Sequence, residues 1–423
     1  MSFQHYAVGG CVRDTLLGIT PKDYDYVVLG ETPETMLNRG FQQVGAQFPV
    51  FLHPTSGCEY ALARTEQKSG NGYHGFVCDF NPSVSLEDDL ARRDLTINSM
   101  AMDVETNTIF DPFGGKLDLD NRILRHVSVH FKDDPVRALR LARFAARYEH
   151  LGFTIHESTK QMVKDMINNG ELDHLVPERV WEEFKKAFAV NFSGFVRHMF
   201  DLGILQIILP EVSNLFGVPQ TEKYHPEVDT FKHVVLCLEQ AEQLSNNDGE
   251  ILWAVMLHDL GKGVTPEDIL PSHLHHEMNG LPLVKNVCER FKVPTEYKDL
   301  ATMVCQYHLD SHTVLNFKAS TLVKRFRQYD AYRRTNRFFK FLICCEADAR
   351  GRTGFEDREY HQANYFKSTF EIASSVKFQQ LANRDQIAHQ HIQQRMDELR
   401  AKRIHESDVF KQRSTLKETK DVQ

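Results

Sequence analysis

Val8-Gly9-Gly10-Cys11-Val12-Arg13-Asp14, followed by Asp23-Tyr24-Asp25-Tyr26-Val27-Val28-Leu29, decides how this 423-residue chain is read. The second stretch is rich in strand-forming residues. Side chains at i and i+2 of a strand share a face, so Asp23 and Asp25 are predicted to point the same way. Paired hard oxygen ligands suit Mg²⁺, which neutralises a nucleoside triphosphate and activates an attacking hydroxyl. The Gly9-Gly10 pair lets backbone N–H groups approach phosphate oxygens with no Cβ in the way. Arg13 follows at a spacing that sets a forked donor on the same phosphates. An acidic pair alone usually decorates a solvated surface. With Gly9-Gly10-x-x-Arg13 before it and an apolar strand around it, the pair points to a nucleotide site.

Outward from this stretch, residues 1 to about 125 alternate short β-rich segments (YDYVVL, FPVFLH, EYALA, IFDPF) with glycine-rich turns and some helix. That pattern predicts an α/β domain with a small mixed sheet. KSGNGYHG, 68–75, reads equally as a lid over a substrate or as a solvent-exposed hairpin. Near Asp133 the pattern changes. Pro135 suits a first helical turn, and apolar residues then recur at helical spacing through WEEFKKAFAV, FVRHMFDLGIL, TFKHVVLCLEQAEQL and ILWAVMLHDL. Breaks fall at Leu209-Pro210 and around Gly217-Val218-Pro219, and the terminal KQRSTLKETKDVQ is polar enough to fray. Strand-rich then helix-rich is the signature of an α+β chain of several subdomains.

A hydrophobic content of 41% with 26% charged residues matches a soluble globular protein. No apolar run approaches the roughly 18 residues of a membrane span, and MSFQHYAVGG is not a signal peptide; a cytoplasmic protein with no membrane association is expected. Its eight cysteines include no C-x-x-C pair, so reduced thiols are expected rather than disulfides or a zinc site. The net charge of −8 argues against a non-specific polyanion binder. Arginine is nevertheless concentrated locally: Arg137, Arg140, Arg143 and Arg147 recur within DPVRALRLARFAARY.

Three further constellations carry chemistry. In Arg92-Arg93-Asp94-Leu95-Thr96-Ile97-Asn98, one arginine is expected on a triphosphate, with Asp94 or Asn98 on a ribose hydroxyl. Asp134 and Arg137 stand three residues apart, which on a helix puts both on one face. Taken alone, such a pair reads as a surface ion pair; with the motifs around it, the carboxylate could accept from an exocyclic amine while the guanidinium donates to ring acceptors. Finally, His233 lies in a helix, His258-Asp259 ends the apolar run ILWAVMLHDLGKG, His276 sits in HLHHEMNG, and His308 in CQYHLDSH. Imidazole and carboxylate ligands suit a metal that activates water against phosphorus. His273, His275 and His312 lie nearby and are not assigned.

VGGCVRD, DYDYVV, RRDLTINSMAMD, DPFGG and DDPVRALRLARFAARY together resemble the bacterial class II tRNA nucleotidyltransferases, the CCA-adding enzymes, and the second half resembles their multifunctional proteobacterial type. The His-Asp pair followed by Leu-Gly-Lys-Gly, with one histidine upstream and two downstream, resembles the HD metal-dependent phosphohydrolases. The resemblance implies a polymerase-β-like nucleotidyltransferase head (1–135), a helical neck with a nucleobase-template helix (136–222), an HD phosphohydrolase domain (223–332) and a helical tail (333–423). It implies Mg²⁺ on Asp23 and Asp25, with Glu59 of EYALAR as a third strand carboxylate. Gly10, Arg13, Arg93, Arg140 and Arg143 are then nucleotide contacts, and Asp134 with Arg137 the template. The family's Glu-Asp-x-x-Arg is here written with Asp133 in first place. His233, His258, Asp259, His276 and His308 would hold Mg²⁺ or a transition metal such as Ni²⁺, with the last ligand either Asp310 or Asp348.

The implied activity is addition of CCA to the 3′ end of tRNA from CTP and ATP without a nucleic-acid template. A 2′,3′-cyclic phosphodiesterase, 2′-nucleotidase and phosphatase activity is implied alongside it, with no obligate protein partner. A poly(A) polymerase shares the head but would call for a strongly basic tail. Signalling enzymes that join a nucleotidyltransferase to an HD domain do not account for RRDLTIN together with DDPVRALRLARF. A non-catalytic RNA-binding module would need neither ligand set.

Overall fold

The computed structural model describes residues 3–44, 50–68, 76–381 and 389–416. Most of the glycine-rich 68–75 stretch and the last seven residues lie outside the described residues. The chain divides into two compact units, Met1–Ala187 with Gly194–Ile208, and Phe188–Ser193 with Leu209–Gln423. No described helix is long and apolar enough to cross a membrane.

In the first unit the strands are β1 (Gln4–Val8), β2 (Asp25–Leu29), β3 (Gln42–Val44), β4 (Val50–Leu52), β5 (Glu59–Leu62), β6 (Thr65–Lys68), β7 (Phe76–Asp79), β8 (Ala101–Asp103) and β9 (Ile109–Phe110). Seven of them form one sheet in the order β3-β4-β5-β2-β1-β8-β9, and β6 and β7 pair separately. Only β2 and β5 run parallel within the large sheet. Adjacent residues of β2 serve opposite faces, as a period of two demands. Val27 packs with Val8, Leu86, Leu90 and Ala101, and Val28 with Met36, Phe41, Phe51 and Leu62.

The register brings the chemistry-bearing residues together. Val8 stands opposite Asp25, and Asp25 stands opposite Glu59. One expectation is corrected here: Asp23 is not on the strand. The ladder ends at Val8 because Gly9, at φ 73°, turns the chain into the helix Gly10–Leu16, so nothing remains for Asp23 to pair with. Asp25 is therefore the first strand residue, and Asp23 lies in the segment leading into it.

From Val136 onward the described residues are helical apart from the two-residue strand Thr154–Ile155, and the α+β expectation holds. In the second unit the helix Gly249–Leu257 is the innermost: every residue from Ile251 to Leu257 is buried, and an all-round apolar helix can sit only in a core. Asp248 caps it by accepting from the N–H groups of Glu250 and Ile251. The helices Thr230–Ser245, Thr295–Thr313 and Thr335–Arg350 pack against it. Trp253 is wholly buried at its centre. Trp253→Ala is expected to lower unfolding free energy by about 3–5 kcal/mol in urea titrations; an unchanged midpoint would contradict this packing.

Candidate active sites

A cavity of about 580 Å³ opens in the first unit, and nine arginines line it together with Gly9, Gly10 and Asp25. A Cβ on Gly9 would lie 3.0 Å from Arg93 Nη1, so this bare backbone lets the guanidinium pass over it. The Gly9 N–H is already donated to Met100 O at 3.3 Å. Of the glycine pair, Gly10 is thus the one whose N–H lies at the open end of a helix. Burial raises the Asp25 pKa, Arg93 lowers it and the neighbouring Asp23 carboxylate raises it, with a net shift upward. Such repulsion between carboxylates is relieved by a divalent cation, which their hard oxygens suit. Glu59 adjoins Asp25 across the sheet. These three carboxylates are not gathered within 4.8 Å as the histidine groups below are.

Each key arginine is held by an acid beneath it. Arg13 is buried; its Nε donates to Asp14 Oδ1 (2.8 Å), its Nη1 donates to Asn98 Oδ1, and its guanidinium lies 5.4 Å from the Phe144 ring centroid. Arg92 and Arg93 share Asp89, at 2.7 and 3.1 Å. Burial alone would raise Asp89, but the two guanidinium groups outweigh it and hold it down to about 2. Arg143 Nε donates to Glu183 Oε2 at 2.6 Å, and Arg140 Nε to Asp94 Oδ2 at 2.7 Å. Asp94 Oδ1 accepts from the Leu95 N–H (2.8 Å) and Asn98 Nδ2 (3.0 Å), which fixes both side chains in the cavity wall.

The Asp134–Arg137 geometry also differs from the expected helical pair. A residue before proline is pushed to extended backbone, and Asp134 has φ −115° and ψ 104°, one residue ahead of Pro135 and outside the helix Val136–Tyr148. Both its oxygens are taken by Arg179, Nη1 to Oδ1 at 2.9 Å and Nη2 to Oδ2 at 2.7 Å. Arg137 Nη1 donates to His130 O at 2.6 Å. Asp134 and Arg137 line the same cavity. Pro135 was the available signal. Arg179 and Glu183, in PERVWEEF, carried none.

The second unit holds the histidines. His233 lies in Thr230–Ser245, His258 follows Gly249–Leu257, His276 opens His276–Arg290 and His308 lies in Thr295–Thr313; all are buried, as is Asp259. Each imidazole sets its Nδ1 against a backbone carbonyl: His233 on Gly351 (3.0 Å), His258 on Val255 (2.7 Å), His276 on His273 (2.8 Å) and His308 on Val304 (3.0 Å). A carbonyl only accepts, so Nδ1 carries the proton and the Nε2 lone pair turns inward. Asp259 lies between two histidine pairs. Its Oδ2 is 3.2 Å from His258 Nε2 and 3.8 Å from His233 Nε2; its Oδ1 is 3.4 Å from His276 Nε2 and 3.8 Å from His308 Nε2. Gly261 is required nearby, because a Cβ there would lie 1.9 Å from His276 O.

The choice left open between two aspartates resolves in space. Asp348 Oδ1 is 3.2 Å from His233 Nε2, whereas Asp310 accepts from Tyr329 Oη (2.7 Å) and Arg325 Nη2 (3.0 Å). The unassigned His312 reaches Asp348 Oδ2 at 2.8 Å, and His273 donates to or accepts from groups farther out on the cavity wall. Sequence reasoning missed Cys237, one turn after His233, whose Sγ is 3.4 Å from His233 Nε2. His258 Nε2 and Asp259 Oδ1 are buried without a hydrogen-bond partner. Converging nitrogen lone pairs and carboxylates with such orphaned atoms fit a divalent metal. Burial pushes His308 down to about 3, leaving it neutral and able to ligate at physiological pH.

Three family models match the chain. The poly(A) polymerase head domain matches residues 5–125, the probable RNA- and SrmB-binding site of polymerase A residues 152–216, and the HD domain residues 230–336. The multifunctional CCA protein of Hahella chejuensis is 54% identical over 379 residues, covering 89% of each chain. That of Vibrio parahaemolyticus is 51% identical over 377 residues, 89% of this chain and 92% of its own. A CCA-adding enzyme in an apo form shares the fold at TM-score 0.68 and 20% identity, over 96% of this chain and 89% of the other. A Thermotoga maritima CCA-adding enzyme complexed with tRNA does so at 0.63 and 18%, over 98% and 91%. The fold is that of a nucleotidyltransferase head joined to an HD domain. The chain belongs to the multifunctional CCA protein family.

Burial holds His308 at about 3 and His225 at about 4, both below the ordinary 6.5. The unfolded chain therefore takes up protons that the folded one refuses, and stability present above 6.5 is lost as pH falls through that window. The thermal midpoint of chelator-treated protein should drop across it. Added divalent metal should raise the midpoint most at neutral pH, because protons compete for the imidazoles. A midpoint flat from neutral pH to pH 4 would contradict the buried neutral histidines.

Proposed function

We propose that this chain adds C, C and A to the 3′ end of tRNA from CTP and ATP without a nucleic-acid template, and that its histidine site hydrolyses 2′,3′-cyclic, 2′- and terminal phosphates. The first half rests above all on the cavity where nine arginines face Asp25, in a chain whose close relatives carry the name multifunctional CCA protein. In this reading Gly10, Arg13 and Arg93 receive the triphosphate, and Arg140 and Arg143 add nucleotide contacts. Asp23, Asp25 and Glu59 hold Mg²⁺, which supplies charge neutralisation and an activated 3′-hydroxyl. Asp134 reads the exocyclic amine: Arg179 fixes the carboxylate plane, and each oxygen keeps a lone pair for a base. Arg137 completes the base edge.

His233, His258, Asp259, His276, His308 and Asp348 hold the hydrolytic metal, Mg²⁺ or a transition ion such as Ni²⁺, which supplies an activated water. Imidazole-rich ligation favours the transition ion. The functional parts are a head (1–135), a neck (136–222), an HD domain (223–332) and a tail (333–423) that contributes Asp348, in a cytoplasmic enzyme. A phosphate-capped 3′ end has no free hydroxyl for nucleotide addition, so the second activity supplies the substrate of the first. Incubation with tRNA lacking its 3′ end and each labelled triphosphate tests the reading: addition stops after three nucleotides, whereas a poly(A) polymerase would add a long A tail.

Asp25→Asn should abolish nucleotide addition and spare phosphate release, and His258→Ala or Asp259→Ala should do the reverse. Joint loss of both activities in a folded variant would refute two separate sites. Base choice should weaken in both Asp134→Ala and Arg179→Ala, since a good bidentate base contact discriminates by roughly 1–3 kcal/mol, or about five- to over a hundred-fold. Single-turnover addition with all four triphosphates measures this. Equal slowing for all four, with selectivity kept, would place the template elsewhere.

A further inference from the structure

We infer that Arg352 grips the phosphoryl group at the hydrolytic site and that Lys223 and Arg358 hold a second phosphate, so the site is built for a phosphate-terminated RNA end rather than a free mononucleotide. This rests on the reading of the histidine cluster as a phosphohydrolase.

A cavity of about 920 Å³ opens beside the cluster, with His276 and His312 in its wall. Small-ligand sites span roughly 300–1,000 Å³, so this one has room beyond a single nucleotide. Four cationic side chains, Lys223, Lys262, Arg352 and Arg358, face it against one carboxylate, Glu359. Lys262 is committed: its Nζ is 2.6 Å from Asp259 Oδ2 and donates to Gln220 Oε1 at 2.6 Å.

Arg352 is not committed. Its side chain is only 18% exposed, and its one charged neighbour is Asp348 Oδ1 at 3.8 Å, beyond hydrogen-bond reach. Its Nε is buried with no hydrogen-bond partner. A buried guanidinium Nε without an acceptor is costly, and an oxyanion reaching in from the cavity supplies that acceptor. It also stands just past the end of the helix Thr335–Arg350, four residues after Asp348, itself 3.2 Å from His233 Nε2. An anion on Arg352 is therefore next to the inward-facing imidazole nitrogens.

Lys223 and Arg358 form no ion pair among the described residues. Each lies over an aromatic face, Lys223 Nζ at 5.4 Å from the Tyr224 ring and Arg358 at 5.1 Å from the Phe355 ring. Tyr224 is exposed and Phe355 half-buried; cations beside accessible rings are how single-stranded nucleic acid is held, phosphate on the charge and base on the ring. A mononucleotide has one phosphate and would leave these two cations without a counter-charge.

The test uses the full-length protein with adenosine 2′-monophosphate and with a trinucleotide ending in a 2′,3′-cyclic phosphate. Arg352→Ala should cut kcat/KM on both by roughly ten- to a hundred-fold, the range for a charged hydrogen bond. Arg352→Lys should recover part, and free guanidinium ion part of the Ala defect. Bound metal, measured by elemental analysis, should equal wild type. Lys223→Ala with Arg358→Ala should reduce the preference for the trinucleotide over the mononucleotide about ten-fold, through KM, with a shallower salt dependence.

Independently of activity, the metal-free wild-type protein should bind the trinucleotide with a terminal phosphate more tightly than the same one with a free hydroxyl, and Arg352→Ala should erase that difference. Wild-type behaviour of Arg352→Ala, or loss of its metal without rescue by Lys, would overturn the assignment. An unaltered substrate preference in the double variant would overturn the second-phosphate part. A wild-type protein that shows the binding difference but hydrolyses neither probe would overturn the phosphohydrolase reading and leave the phosphate grip standing.

Discussion

Like charges crowded around a cavity repel, and the first unit is organised by how it contains that repulsion. Nine guanidinium groups line about 580 Å³, where the effective dielectric is well below that of water. They stay there because acids are set under them, Asp14 and Asp89 from the neighbouring sequence and Asp94, Asp134 and Glu183 from farther along the chain. Asp89 and Asp94 are buried, and burial alone would favour their neutral forms; the adjacent guanidinium groups keep them ionised. Removing one such partner leaves an uncompensated charge in place, at a cost of about 3–5 kcal/mol. The sheet register, the turn at Gly9 and the helix Val136–Tyr148 all deliver residues into this network.

The second unit solves the opposite problem. Its centre collects carboxylates and lone pairs, with one buried ammonium, that of Lys262, on Asp259. Backbone carbonyls fix each imidazole through Nδ1, so Nε2 has one direction available. Helix termini bring these groups together: His258 ends the most buried helix, and His276 begins another. Gly261 permits the contact between those two ends, which any side chain would prevent. What the first unit does with side-chain carboxylates the second does with main-chain carbonyls.

Local order was readable in the sequence, and long-range pairing was not. The glycine turn, Asp25 on an apolar strand and the arginine-rich helix each follow from neighbouring residues, as does the His258-Asp259 pair at the end of an apolar run. Asp134 was misjudged as helical, although Pro135 marks it as extended. Its partner Arg179 is 45 residues away, and Asp348 is 115 residues from His233. No periodicity links such positions; only the packed structure does. The same holds for Asp310 and Asp348, equivalent candidates in sequence, of which one is taken by Tyr329 and Arg325.

The chain's net charge shows how far a global quantity can diverge from a local one. With 50 basic and 58 acidic residues it is formally an anion of −8, an unpromising sign for a chain with nine arginines around one cavity. Yet preorganised cations require acids beside them. An arginine free to swing in solvent has rotamer entropy to lose when it meets a phosphate, and one already clamped has much less. Arg140 on Asp94, Arg143 on Glu183 and Arg93 on Asp89 have lost that freedom before any ligand arrives. The acids that bring the chain's total below zero include those that make its arginine-lined cavity rigid. Arg352, in the second unit, has no such clamp: its Nε is buried without a partner and its nearest carboxylate oxygen, Asp348 Oδ1, is 3.8 Å away.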